Sequence, residues 1–291
     1  MGAQGRFILS LDCEGKWGIA DHLKPIDDVQ LSGKRLVSAY QDIVDLLDRF
    51  EIPATFAVVG LFSLSPDELR MLPHAEIAGR LPYTVEAMRR LSGSDFDGWH
   101  GEWLRAMLGT AHEVASHGIT HTPFDQMTID DVKFELSLMS VDRGQTFIFP
   151  RNKVAHLDLL EQAGFVGYRT AKRSGRVGRY LGELNIFEKA EPVLPVSDFE
   201  IAPIAAGHFI NWKSGVRAAI PVAVTRKRAA AMLDDAVRTG GVVHYWTHPE
   251  NIASAPATLD CLSAILQEVK IRRDQGEIRV ETQMSHIVRS A

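Results

Sequence analysis

Apolar and polar positions along this chain follow two rhythms that take turns. Short apolar runs of strand type give way to stretches with apolar residues every three or four positions. Phe7-Ile8-Leu9-Ser10-Leu11 reads as a strand that ends in a polar cluster, Asp12, Glu14 and Gly15. Arg35 to Phe50 is predicted to be helical, with Val37, Ile43, Val44, Leu46, Leu47 and Phe50 as its apolar stripe. Pro53 breaks that pattern, and Ala54–Val59 is the next strand, ending at Gly60. Further strands are expected at Glu113–Ala115, Thr146–Phe149, Val242–Trp246 and Ile278–Val280. Further helices are expected at Asp130–Met139, Leu157–Ala163, Arg226–Thr239 and Leu259–Arg273, with Gly164 ending one and Gly240 and Gly241 capping another. Strand and helix alternating over the whole length argue for a parallel α/β fold. Residues 61–108 and 175–221 fit the alternation poorly. They read as long excursions at the mouth of a barrel, within a single domain of residues 1–291.

Composition sharpens this picture only a little. At 45% hydrophobic and 24% charged, the chain has ordinary globular make-up, and 291 residues suffice for one α/β barrel. A net charge of -5 without a dense Lys/Arg run speaks against a nucleic-acid partner. Two cysteines far apart, Cys13 and Cys261, make no disulfide framework and suit buried thiols in a reducing compartment. The first ten residues lack a signal-peptide pattern, and no apolar run approaches the ~20 residues that span a bilayer. The expectation is a cytoplasmic protein without a membrane span, its oligomeric state left open.

Four places carry candidate chemistry. In Ser116-His117-Gly118-Ile119-Thr120-His121, two histidines four apart can present both rings to one metal ion, although two of eleven histidines also fall at this spacing by chance. In Asp12-Cys13-Glu14, residues i and i+2 of an extended strand share a face, so both carboxylates can meet one site; the plainer reading is a solvated acidic turn. In Val242 to His248, the residues His244, Trp246 and His248 alternate, and a histidine at a strand end suits a general acid or base; otherwise it is a satisfied interface histidine. In Phe149-Pro150-Arg151-Asn152, the arginine follows a strand and can brace a carboxylate, or it is an ordinary surface cation. All four lie at carboxyl ends of predicted strands, where parallel α/β folds place their ligands. Two histidines and a carboxylate with one open position form a hydrolytic metal site. Arg226-Lys227-Arg228 reads as a solvated helix start.

Taken in order, these segments resemble the NodB-type polysaccharide deacetylase family. The similar stretches are Leu9–Gly15 (LSLDCEG), Ile43–Gly60 (IVDLLDRFEIPATFAVVG), Ala111–His121 (AHEVASHGITH), Phe147–Asn152 (FIFPRN) and His244–His248 (HYWTH). The resemblance implies a distorted (β/α)7 barrel with long loop insertions and one divalent metal, zinc foremost, with cobalt, manganese or iron as alternatives. It implies Asp12 as catalytic base, Glu14, His117 and His121 as metal ligands, and His248 as general acid. Trp246 falls at an acyl-pocket position and Arg151 at that of the arginine orienting the base, with Trp17 and Asn152 as further candidate substrate contacts. Asp12 and Glu14 are separated by Cys13 where many members have adjacent acids, Pro150 precedes Arg151 where members have the reverse, and the residue supporting the general acid finds no match.

The function so implied is removal of an N-acetyl group from an amino sugar, small or carrier-linked. The cytoplasmic expectation points to a precursor of a surface polysaccharide. A cyclic-amide or N-formyl hydrolase using the same site, and a non-catalytic sugar-binding relative, are the alternatives.

Overall fold

The computed structural model describes residues 4–138, 144–172, 182–195 and 201–290. Its strands are β1 (Gly5–Cys13), β2 (Thr55–Val58), β3 (Glu113–Ser116), β4 (Thr146–Phe147), β5 (Gly167–Arg169), β6 (Ala202–Ile204), β7 (His208–Phe209), β8 (Val242–Thr247) and β9 (Ile278–Glu281). Eight lie side by side in the order β6-β5-β4-β3-β2-β1-β8-β7. The first half of β1 pairs with β9 and its last half with β2, while β8 runs along the opposite edge. Every named ladder is parallel, so the carboxyl ends of the strands gather on one rim of a curled half-barrel wrapped by helices. The path has eight strands against the expected seven. The sequence reading missed β5, β6 and β7, each only two or three residues long.

The alternation along β1 explains how the barrel interior becomes polar. Phe7, Leu9, Leu11 and Cys13 face outward into the large apolar core shared with the helices. Ile8, Ser10 and Asp12 face inward. Ile8 packs with Ile204, Ala205 and Val242, and the inner face then turns polar toward the rim. Small residues on neighbouring strands, Ala57 and Ala115 with Ile148, pack in a separate apolar cluster.

The helix Gly33–Phe50 buries Leu36, Tyr40, Ile43 and Leu47 along one side, and Glu51 closes it in the left-handed conformation at φ 54°. Val37, placed in the stripe by the sequence, is exposed, and Leu36 takes its place. The helix expected from Arg226 spans Val222–Thr239, begun by Pro221 and capped by Gly240 at φ 72°. The helix expected at Asp130–Met139 is Ile129–Ser137, and Met139 lies outside the described residues. Residues 61–108 carry four short helices, Pro66–Arg70, His74–Arg80, Val85–Ser92 and Trp103–Leu108. Their Leu69, Ile77, Met88, Leu91 and Leu104 join the main core. Of 175–221, the described parts supply β6 and β7.

Candidate active site

Four strand ends deliver the site. β1 ends in Asp12 and Cys13, with Glu14 directly after; β3 leads into His117; β5 ends on Arg169; β8 leads into His248. The strand geometry sends Asp12 and Glu14 inward and turns Cys13 away, its thiol donating to the Leu11 carbonyl at 3.4 Å.

Nε2 of His117 and Nε2 of His121 each lie 3.0 Å from Oε1 of Glu14, and all three residues are buried. One ligand atom from each falls within 4.8 Å of the others. On the far side of its ring, His117 donates from Nδ1 to the Ile148 carbonyl at 2.8 Å. In the neutral ring that bond leaves Nε2 as a lone pair aimed at a carboxylate oxygen. Two electron-pair donors facing each other require a proton or a cation between them. Nε2 of His121 has no hydrogen-bond partner among the described residues, although the same oxygen is within reach. This donor set, two imidazole nitrogens and one carboxylate, suits a divalent ion.

The loop carrying both histidines is tied down from behind. Glu135, fully buried, accepts the backbone N–H groups of Ile119 (2.8 Å) and Thr120 (2.9 Å) and the Thr120 hydroxyl (2.7 Å). Gly118 at φ 73° and His121 at φ 64° take left-handed conformations in that turn. Glu250 plays the matching part for the first motif. Its Oε1 accepts from the N–H of Glu14 (3.0 Å) and Gly15 (2.6 Å) and from the Tyr40 hydroxyl (3.1 Å). Burial, and then the nearby Glu14 carboxylate, push Glu250 up to about 7. Neither residue was singled out from the sequence. For Glu250 a signal existed in His248-Pro249-Glu250, an acid placed directly after a strand end.

Asp12 is held by Arg169. Nη1 and Nη2 donate to Oδ1 and Oδ2 at 2.8 and 2.6 Å, a two-pronged pair with both partners buried. The same guanidinium donates to Ser10 (3.0 Å) and to Oδ1 of Asn152 (3.0 Å) and lies over the Trp246 ring at 4.6 Å. Burial pushes the Asp12 carboxyl up, but Arg169 together with His117 and His248 holds the group below the usual range. This corrects the expectation for Arg151. Its guanidinium pairs with Asp21 and covers the Tyr83 ring, because its backbone turns left-handed at φ 54° just past β4. Arg169 escaped the sequence reading because β5 itself did.

His248 stands across from Glu14, its Nε2 3.3 Å from Oε1 of Glu14 and 4.0 Å from Oδ2 of Asp12. Burial lowers its proton affinity, but Glu14 and Asp12 more than reverse this and raise it to about 9. Asn251 places Nδ2 3.3 Å from Nδ1 of His248, on the side of the ring away from the carboxylates. His248 and Trp246 line a cavity of about 1090 Å³ that Asn152 also borders. The expectation for Trp17 is corrected as well. It is 1% exposed, donates from Nε1 to the Trp99 carbonyl and meets the Trp99 ring edge-on, so it presents no face to a sugar. His244, the third member of the alternating set, is buried between Ser10 and the Ala205 carbonyl and does not reach the cavity wall.

No family model and no curated protein matches the sequence. Among solved structures, a protein described as a polysaccharide deacetylase from Mycobacterium smegmatis superposes with a TM-score of 0.63 at 15% identity, covering 100% of this chain and 92% of that one. The fold is that of the polysaccharide deacetylases. A second protein so described, from Pseudomonas aeruginosa PAO1, gives 0.53 at 12% identity, with 97% and 89% covered. PuuE allantoinase shares the deacetylase fold to a similar degree, at 0.52 and 12% identity, again with 97% and 89% covered.

Proposed function

We propose that this protein is a metal-dependent hydrolase that removes an N-acetyl group from an amino sugar. The observation that carries the reading is the convergence of Glu14, His117 and His121 on one point, with the Arg169-held Asp12 on one side and His248 on the other. A divalent ion held by these three residues would supply Lewis-acid polarisation of the amide carbonyl and ease ionisation of water. Zinc suits the ligands best, and cobalt, manganese or iron also fit them. Asp12, kept charged and aimed by Arg169, takes the proton from the attacking water. His248, whose Nε2 stands 3.3 Å from Glu14 and 4.0 Å from Asp12, delivers a proton from that nitrogen to the departing amine. Trp246, its ring backed by Arg169, forms a wall beside the acyl group. The substrate is a small or carrier-linked amino sugar, read as a precursor of a surface polysaccharide. No helix among the described residues is long and apolar enough to cross a membrane.

The test is metal content and acetate release, wild type beside His117→Ala and Glu14→Ala, over a panel of N-acetyl sugars and their nucleotide forms. About one ion per chain in wild type, lost in both variants, together with acetate release, is expected. Metal without acetate from any sugar transfers the site to a cyclic amide or an N-formyl group. Failure to bind zinc or cobalt at stoichiometric level sinks the mechanism.

A further inference from the structure

The cavity that His248 and Trp246 border continues well past the reacting groups. Its 1090 Å³ lies at the upper end of small-molecule sites and exceeds what an acetyl group and one sugar ring need. β7 lies in register with β8, His208 against Tyr245. His248 comes just past the end of β8, three residues after Tyr245, so the backbone at His208 is about 10 Å from that at His248, measured along the strand.

The far wall is built around Arg228 and Lys172. The sequence reading left Arg228 as a solvated helix start, yet it is 5% exposed. It stands on the helix Val222–Thr239, which packs against β1 and β8 and turns this position toward the cavity. A buried guanidinium ordinarily has a close, two-pronged carboxylate, as Arg169 has in Asp12. Arg228 has none. Its carboxylate contacts, Glu183 and Glu188, stand off at 3.4 and 3.6 Å. Its Nε has no partner among the described residues. Its Nη2 donates instead to Nδ1 of His208 at 2.9 Å.

That histidine cannot serve the second cation as well. Nζ of Lys172 lies 2.9 Å from Nε2 of His208. Burial and the two neighbouring cations hold His208 neutral, its proton affinity lowered to about 2. A neutral imidazole has one acceptor nitrogen, so one cation always faces a ring N–H. Glu191 takes up part of Lys172, at 3.2 Å, but its Oε1 also accepts the N–H of Gly207 at 3.0 Å. Among the described residues, Lys172 and Arg228 thus line one region of a ligand-sized cavity, their carboxylate neighbours Glu191, Glu183 and Glu188 all stand 3.2 Å or more away, and the buried Nε of Arg228 is left unpaired.

We propose that this wall is an anion subsite, with Lys172 and Arg228 holding a carboxylate or phosphate that the substrate carries next to its N-acyl sugar. The sugar part of this inference rests on the proposed deacetylase reading; the anion part rests on the wall alone. Oxyanions match both donors, the guanidinium by a fork and the ammonium as a point charge. The charged group anchors the far end of the ligand while the amide lies beside His248.

The experiment measures binding to the full-length protein by isothermal titration at low salt. The probes are N-acetylglucosamine 1-phosphate, N-acetylglucosaminuronic acid and neutral N-acetylglucosamine. At least one charged sugar is expected to bind about tenfold or more tightly than the neutral one, and to lose that advantage in Lys172→Gln and in Arg228→Gln. Lys172 is partly exposed, so its variant keeps the test alive if Arg228→Gln fails to fold. Which charged sugar loses affinity tells phosphate from carboxylate. Charged sugars that bind no better than the neutral one, or variants that keep the preference, overturn the subsite. Acetate release is scored separately. A charge preference without acetate release keeps the subsite and sinks the deacetylase reading, whereas acetate release without a preference sinks the subsite alone.

Discussion

Replacing Arg169 by Met is the sharpest test of how the base is held. The guanidinium makes four hydrogen bonds, two to Asp12 and one each to Ser10 and Asn152, with its partner carboxylate 2% exposed. Met fills much of the volume but leaves the buried Asp12 carboxylate without its two-pronged partner. Breaking such a pair from one side costs about 3–5 kcal/mol, a large share of the ~5–15 kcal/mol that keeps a protein folded. Asp12→Asn removes the charge from the other side, so the double variant should be less destabilised than the two single losses added, by about 1–3 kcal/mol. Arg151→Met serves as the contrast. That residue is partly exposed and pairs with Asp21 at the surface, where an ion pair contributes about 0–1 kcal/mol. Urea unfolding followed by circular dichroism, provided wild type shows one cooperative transition, measures all four variants. Acetate release should collapse in Arg169→Met and persist in Arg151→Met. A loss below ~1 kcal/mol in Arg169→Met, strict additivity with Asp12→Asn, or equal damage from Arg151→Met would refute this account of the base.

A methyl group at Gly18 would lie 1.7 Å from Oε2 of Glu14, so Gly18→Ala should fold but push that carboxylate off its position; calorimetric zinc titration should show weakened binding, and unchanged affinity would contradict Glu14 as a ligand. Glu135→Ala removes three acceptor bonds behind the histidine loop, and loss of such outer support typically weakens metal binding about 10–100-fold; a variant that binds zinc like wild type would show that the loop holds itself. His244 gives a pH signature. Burial, then Arg169, lower its proton affinity to about 3, so the folded ring stays neutral while the unfolded one takes a proton near pH 6.5. The stability tied to the neutral ring is full above about pH 6.5 and falls below it, by up to about 1.4 kcal/mol per pH unit. His244→Gln should therefore lose less stability than wild type between pH 7 and 5.5 in urea unfolding, and equal losses would rule the effect out.

These residues also show what a sequence discloses about such a site. Asp12, Glu14, His117 and His248 sit directly at or after strands whose apolar runs stand out, so their common rim could be inferred before any coordinates. The inward turn of Asp12 and Glu14 follows from the two-residue period of a strand. Arg169 obeys the same rule, but its strand is Gly-Tyr-Arg, too short and too polar to announce itself. Arg151 drew the assignment because it follows a visible strand. Arg228 is a harder case. Its local sequence, Arg-Lys-Arg, reads as a solvated face, and only the packing of the helix Val222–Thr239 against β1 and β8 buries one of the three. Trp17 fails the opposite way, since nearness in sequence to Asp12 says nothing about which side of the chain the ring occupies, and Trp99 claims it. Local patterns thus reveal the polar groups that gather at strand ends. Of the groups that hold them, Glu250 follows His248 directly in the chain, whereas Arg169 and Glu135 become visible only when the strands are set side by side. Functional tests on this protein should therefore target those holding residues as well as the motif residues, because only they separate a working site from a set of matching letters.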